Sequence, residues 1–563
     1  MAKPRIPKKD VTLRSLEGTE KVAMAERIET ILSHAKYRLT LLGAFAFLLL
    51  GLLVCGAQNV QQLNSQGIAY LLLANQYAQG EFALGVTSYW SPLLSWIMAL
   101  GLKLGWPDLT AARIATGFAG LLFWLGCVAV LFLSRLSIRG FLIGAWLAAL
   151  AALPWSVNNI TPDLLGAALV LIAMAASAHA YATGSRASHV FAGIAWGASY
   201  YAQALLLPVV GASVVGIALL VWVSGAYSTS VALRGLWIQG LVAVLVMLPW
   251  WGTVSVKEGH PSVGTVWAIN HAVVGPNDID RYHPGLSRLA PPDPGRLAAW
   301  ENPTLDQYQT WSPFNDDDRR RHQIEILKTS LKASFKIFLD FGGLGVGILA
   351  LLGCVVLPVR RWREHLTERW RWGLIPVVAG VMAFLPLGVT AIDHRFFYFC
   401  FPLMLVAAFG VVEWLPQAYA WKGFPQRFAA GLLALLFAFP LLPRTAVAFE
   451  GIPNPGGYAA LDLVDRIKVT NLSGPVAGNA FLAGNRTGLY VAALLHEPWY
   501  GDKDDVLGTD YLLSGAELIV VDRQHRVNSD MEFNPAFRDL DTILFSDKLQ
   551  AAQYPLRVYQ IIR

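Results

Sequence analysis

Polar and apolar positions sort along this chain into whole segments. Apolar runs of roughly bilayer-spanning length, about 20 residues as a helix, recur from near the N-terminus to residue 448. They are 38–57, 111–134, 140–157, 163–183, 189–205, 206–225, 235–253, 337–358, 372–390, 396–415 and 428–448. This pattern predicts eleven transmembrane helices, some of them short. The run 91–105, "SPLLSWIMALGLKLG", is shorter and opens on a Ser-Pro pair. It predicts a juxtamembrane helix rather than a further span. The leader 1–37 is basic and amphipathic, with no cleavable signal expected before the first run.

Charge fixes the sides. A basic leader puts the N-terminus in the cytoplasm. Eleven alternating spans then place Arg135, Arg139, Arg186, Arg234, the cluster "VRRWREHLTERWRW", Lys422 and Arg427 in inside loops. The short outside loops, 158–162 and 391–395, carry Arg395 as their one lysine or arginine. Counting 91–105 as a span would invert every later loop, so the juxtamembrane reading holds. Two longer segments face outward, 254–336 and 449–563, besides the first outer loop, 58–110. The first of them ends in "NDDDRRRHQIEILKTSLKASFKIF", whose apolar residues recur at helical spacing behind an acidic cap. Its basic face suits anionic headgroups or a lipid phosphate. The second is not membrane-like. "YAALDLVDRIKVT" reads as a helix, and "ELIVVDR" and "LRVYQIIR" read as strands. The predicted fold class is an α-helical polytopic membrane protein with a long outer loop and a small C-terminal α/β extracytoplasmic domain.

Composition agrees. Of 563 residues, 55% are hydrophobic and 15% charged, against about 25% charged in soluble domains. The net charge of +6 reflects basic loops between spans, so no nucleic-acid partner is indicated. Cys55, Cys127, Cys354 and Cys400 all lie in apolar segments, which argues against a disulfide framework. Metal-ligand spacings are absent, and "NDDDRRR" reads as a solvated cap. There is no nucleotide-binding glycine loop, because Gly343 and Gly347 fall within a predicted span and read as helix packing.

In such a chain the informative groups are ionisable residues at span ends. Asp163, in "NNITPDLLGAALVL", opens the fourth run. It is a carboxylate at the positive end of a helix dipole or one facing a cavity at the membrane rim. Asp393, His394 and Arg395, in "AIDHRFFYF", open the tenth. They are an interfacial anchor or, the favoured reading, a cationic cluster that holds a phosphate. His271, His283, Glu301 and Asp306 are further candidates in the long loop, each individually read as a satisfied loop residue. The Trp and Tyr residues there suit a sugar-stacking platform or the packing of the loop onto the rim.

The order of "GIAYLLLANQYAQGEF", "YWSPLLSWIMALGLKLG", "TPDLL", a long outer loop, "HRFFYFCFPL" and an outer C-terminal domain resembles the GT-C superfamily of integral-membrane glycosyltransferases. Within it, the protein mannosyltransferase and aminoarabinose transferase-like group is most similar. The resemblance covers about 38–448. It implies transfer of a sugar from a polyprenyl-phosphate donor to a hydroxyl of a glycan, lipid or protein acceptor. It implies use of that donor on the outer face of the membrane, with the donor as substrate and no cofactor; for this chain the expected place is a bacterial inner membrane with a periplasmic site. It also implies a general base in the first outer loop, usually an Asp. Here Gln66 stands at that position, and a neutral amide takes up no proton. Three readings follow: the base has moved to Asp163 or Glu81; the chain binds a lipid-linked glycan without transferring it; or the motif is aligned elsewhere. The first is favoured, with Asp163 matching a second outer acid of the family and Glu81 a commonly structural one. Tyr70, Tyr89, Trp90 and Pro92 match the loop framework, and His394 and Arg395 the donor phosphate. A non-catalytic protein binding lipid-linked glycans or scaffolding envelope assembly is the alternative. A lipid-linked sugar flippase is weaker, since mid-span charges are scarce and no repeat is apparent.

Overall fold

A computed structural model describes residues 13–223, 228–279, 281–342, 389–390, 393–418, 426–502, 506–525 and 527–562. Among them six helices are long and apolar enough to cross a membrane. They are Ala35–Gln58, Asp108–Leu133, Ile138–Asn158, Asp163–Thr183, Ala204–Trp222 and Thr229–Glu258. A seventh crossing is counted if Gln426–Ala438 and Leu441–Val469, bent by 46° at their break, form one span. Two more of the eleven predicted runs appear as helices outside that count, Arg186–Ala202 and Cys400–Ala418. The run 337–358 lies outside the described residues from 343 onward, and 372–390 keeps only its last two inside. The start of the former is the end of a different element, the helix Asp317–Asp340.

The helices pack closely where side chains are small. A Cβ on Gly193 or Gly197 would lie 2.8 Å from the carbonyl oxygens of Gln239 and Ala243, respectively. This pair of glycines, four apart, lets Arg186–Ala202 press onto Thr229–Glu258. Gln239 then joins three helices. Its Oε1 accepts from Ser177 Oγ at 2.7 Å and Trp196 Nε1 at 3.3 Å, and its Nε2 meets His189 Nδ1 at 2.9 Å. Between helices in lipid, such polar contacts supply specificity that apolar contact alone does not.

At one end of the bundle lies the helix Ser65–Gln79, buried from Gly67 to Ala74. It packs on Leu93–Lys103, an 11-residue apolar helix too short to cross. This is the predicted juxtamembrane element. Ser95 Oγ donates to the Tyr70 carbonyl at 2.8 Å and fixes the crossing.

Among the described residues, the C-terminal region adds the helix Pro455–Val469 and six short strands. They are β1 (Val476–Ala477), β2 (Phe481–Leu482), β3 (Asn485–Arg486), β4 (Leu518–Asp522), β5 (Phe537–Asp539) and β6 (Leu556–Ile561). The main sheet has order β1-β4-β6-β5, with β1 parallel to β4 and β6 antiparallel to both neighbours. The predicted strands are β4 and β6, registered Leu518 to Gln560 and Asp522 to Leu556. Alternation along β4 splits its side chains between two cores. Ile519 and Val521 join a small cluster with Tyr511 and Met531. Leu518 and Val520 join a larger one that contains Ile68, Leu72, Trp90, Ile269 and Leu489. The C-terminal region thus shares a core with the Ser65–Gln79 helix and the 254–336 loop.

Candidate active site

The site forms where three chain breaks meet at that same end of the bundle. Asp163 occupies the first turn of Asp163–Thr183, just after Pro162, which cannot extend a helix backward. Its side chain is 3% exposed. Gln203 sits in extended conformation between Ala202 and the 3-10 turn Ala204–Leu206. Its Nε2 donates to Asp163 Oδ1 at 2.7 Å. The Ala204 N–H donates to Ser91 Oγ at 2.6 Å, so the Tyr89–Ser91 loop sets where this break lies.

The other wall is the 3-10 turn His394–Phe397, capped by the Asp393 carboxylate on the Arg395 N–H at 3.1 Å. Arg395 lies at the centre, with its side chain 13% exposed. Nε and Nη2 donate to Asp393 Oδ2 at 3.0 and 2.7 Å. Nη1 donates to Gln66 Oε1 at 3.0 Å and lies 3.6 Å from Asp163 Oδ2. His394 Nδ1 meets Asp393 Oδ1 at 2.9 Å, and its Nε2 faces the Tyr398 hydroxyl at 3.4 Å. Tyr398 stacks on Trp155 with ring centroids 4.3 Å apart.

The electrostatics follow from this geometry. Burial pushes the Asp393 carboxyl up, but the His394 and Arg395 hydrogen bonds outweigh it and hold the group well below the usual carboxylate range. Burial disfavours the Arg395 cation, yet Asp163 and Asp393 hold its pKa above the ordinary value. Burial pushes the Tyr70 phenol well up, and the Asp163 carboxylate adds to that shift.

The structure therefore brings Gln66, Asp163, His394 and Arg395 together. Tyr70, Tyr89 and Trp90 are buried beside them. Tyr70 and Trp90 rings lie 5.1 Å apart, Tyr89 and Trp90 4.5 Å. Tyr89 donates to Asn270 Oδ1 at 3.0 Å and Trp90 to the Trp300 carbonyl at 2.9 Å. These three build the wall rather than an open stacking surface. Glu81 is not brought to the cluster. It is exposed beyond the far end of the Ser65–Gln79 helix, about 20 Å from Gln66 at 1.5 Å per residue. His271 is also outside it. Its ring stacks on Trp311 at 4.3 Å and its Nε2 meets Gln323 Oε1 at 2.9 Å. Glu301 is fully buried and accepts from the Leu297 and Ala298 N–H groups at 2.7 and 2.8 Å. His283 meets the Tyr308 hydroxyl at 3.0 Å, and Asp306 is exposed. Among the described residues no group of three or more His, Cys, Asp or Glu side chains could hold a metal ion. Gln203 and Tyr398 were missed by sequence reasoning. The one available signal for Gln203 was a lone amide near the end of the apolar run 189–205.

No family model and no curated protein sequence matches the chain. Solved structures do. ArnT from Cupriavidus metallidurans bound to undecaprenyl phosphate superposes with TM-score 0.53 at 15% identity, over 92% of this chain and 97% of that one. The same protein in the apo state gives 0.53 at 14% identity, with the same coverage. The Archaeoglobus fulgidus oligosaccharyltransferase in the apo form gives 0.49 at 12%, over 85% of this chain and 69% of that one. At such identities the likeness is one of fold alone: this chain has the fold of the ArnT structures.

Proposed function

We propose that the chain transfers a sugar from a polyprenyl-phosphate donor to an acceptor hydroxyl, with Asp163 as the general base. The observation that carries this is the convergence of a buried carboxylate, Asp163, with Arg395 and Gln66 at one end of a GT-C-like bundle. The acceptor oxygen forms a bond to the anomeric carbon as the bond from that carbon to the phosphate oxygen breaks. The acceptor proton passes to Asp163 and the electron pair leaves on the phosphate, so no nucleotide is needed. Attack opposite the phosphate inverts the anomeric centre. Gln203 holds Asp163 Oδ1 and leaves Oδ2 as the oxygen that turns toward a substrate.

Gln66 also gains a role in this reading. All three nitrogens of the Arg395 fork already have protein acceptors. These bonds use three of the five guanidinium N–H groups, so a donor phosphate takes an N–H left on Nη1 or Nη2. The neutral amide of Gln66 is the weaker acceptor, so Nη1 is the nitrogen freer to turn toward the phosphate, while Asp393 keeps the guanidinium in place. His394, the more exposed neighbour, adds a second contact. At the opposite end of the bundle, Arg135 follows the helix Asp108–Leu133, and Arg139, Arg186 and Arg234 lie near the starts of the helices Ile138–Asn158, Arg186–Ala202 and Thr229–Glu258. This supports a cytoplasmic opposite end and a periplasmic site in a bacterial inner membrane.

Gln66 and the engaged Asp163 carboxylate also favour one other reading, a protein that binds lipid-linked glycans without transfer. A panel of polyprenyl-phosphate sugars given to purified protein separates the two, with release of polyprenyl phosphate followed. Asp163→Asn should slow release by about 10²- to 10⁴-fold, and Glu81→Gln should leave it at the wild-type rate. Donor binding with no release by the wild type would establish the second reading. Full activity in Asp163→Asn would place the base elsewhere.

A further inference from the structure

We propose that the helix Asp317–Asp340 lies along an anionic phospholipid surface, seated by an apolar stripe and held by three flanking lysines. At 100° per residue, Ile324, Leu331, Phe335 and Leu339 fall on one face. They are 45%, 59%, 64% and 39% exposed. Lys328, Lys332 and Lys336, at four-residue steps, run beside that stripe and are exposed as well. Lys328 pairs with Glu325 at 2.6 Å. No ion pair joins Lys332 or Lys336 to an acid among the described residues.

The opposite face is fastened. Gln323, Ser330 and Ile337, at seven-residue steps, are buried. Gln323 Nε2 donates to the Val389 carbonyl at 3.2 Å and Ser330 Oγ to the Thr390 carbonyl at 3.1 Å. The rotation of the helix is therefore set, and the stripe has to face away from the protein. Its C-terminal end enters the bundle. The Phe341 ring lies 5.2 Å from Trp155 and 6.1 Å from Phe401, and a Cβ on Gly342 would meet Phe437. Phe437 belongs to the helix Gln426–Ala438, whose Phe428, Leu432 and Leu435 are 71%, 49% and 67% exposed. In a membrane protein those side chains face lipid, so the bare stripe continues the lipid-facing surface toward the headgroups. Lysine stems lie along apolar surface while the ammonium reaches a phosphate, which suits this depth. A second copy of the chain fits worse, because a two-fold contact would set these lysines against their own copies.

The test is made on the full chain, with Cys55, Cys127, Cys354 and Cys400 replaced by Ala and a nitroxide on Leu331→Cys or Phe335→Cys. Each is reconstituted in nanodiscs of phosphatidylcholine alone or mixed with phosphatidylglycerol. Power saturation compares access to oxygen with access to a water-soluble nickel chelate. Both labels should favour oxygen, and more so with phosphatidylglycerol. That lipid-dependent shift should vanish in Lys328→Gln/Lys332→Gln/Lys336→Gln, while the labels keep their preference for oxygen. Three results would overturn the proposal: free access of nickel, as at an exposed control label on Asp547→Cys; access of neither agent, which means protein covers the face; or a shift that survives loss of the lysines.

Discussion

Arg395, itself largely buried, balances two carboxylates, of which Asp163 is almost wholly buried. Asp163 and Asp393 each lie within 4 Å of its guanidinium. Removing one partner of a buried ion pair leaves the remaining charge uncompensated and costs about 3–5 kcal/mol. Arg395→Gln should therefore unfold at clearly lower temperature or denaturant than the wild type, and donor binding should fall with it. The second prediction concerns pH. The Asp393 carboxyl is held below its ordinary value in the folded chain. Its stabilising contribution is then fully present above the usual carboxylate range and is lost as pH falls through the depressed folded value. Asp393→Asn should be less stable than the wild type at neutral pH, and the two melting temperatures should converge on acidification. A gap that stayed constant from neutral pH downward would mean that the carboxylate charge contributes nothing.

The element that sets this geometry is the start of the Ser65–Gln79 helix. A Cβ on Gly67 would lie 2.6 Å from Ile160 Cβ and 2.9 Å from its carbonyl oxygen. Asn64 Oδ1 accepts from the Ile160 N–H at 3.0 Å on the same side. Gln66 and Asp163 are thus held in register by backbone contact between the two segments just before them. Gly67→Ala should cost about 1–3 kcal/mol through overpacking and shift Gln66 from Arg395, lowering turnover more than donor affinity. Gly56→Ala, where nothing lies within 4 Å, should change neither, as kcat and KM measured for both variants would show. These contacts also mark what the sequence could convey. Asp163 and Arg395 stood out because charges are scarce at span ends. Long apolar runs announced the crossings, and alternation announced β4 and β6. Gln203 and Tyr398 carry no charge pattern, and a glycine in an apolar helix looks the same whether or not a neighbour touches it. Glu81 looked like a candidate because sequence shows its distance along the chain and not the intervening length of helix.

At the scale of the molecule, the long loop and the C-terminal region close over the Ser65–Gln79 helix as one body. A helix buried all round has no polar face to show which neighbours cover it, so this arrangement was not legible from periodicity. The covering is pinned by backbone as well as by apolar packing. The Trp499 N–H donates to the Leu297 carbonyl at 2.6 Å, and the Ala290 N–H to the Tyr500 carbonyl at 2.8 Å. Arg486 fastens the same seam, since its Nη1 donates to the Leu286 carbonyl at 3.2 Å and pairs with the buried Asp502. Arg486→Ala removes bonds from a charged donor worth about 1–3 kcal/mol. The seam should open locally before the spans lose structure, because the spans do not depend on it. Limited proteolysis should then cut within 281–302 faster than in the wild type, by roughly tenfold for each 1.4 kcal/mol lost. Cleavage at wild-type rate would show that the backbone contacts hold the loop without Arg486. General unfolding, with loss of bundle helicity, would show that the loop, the domain and the bundle form a single cooperative unit.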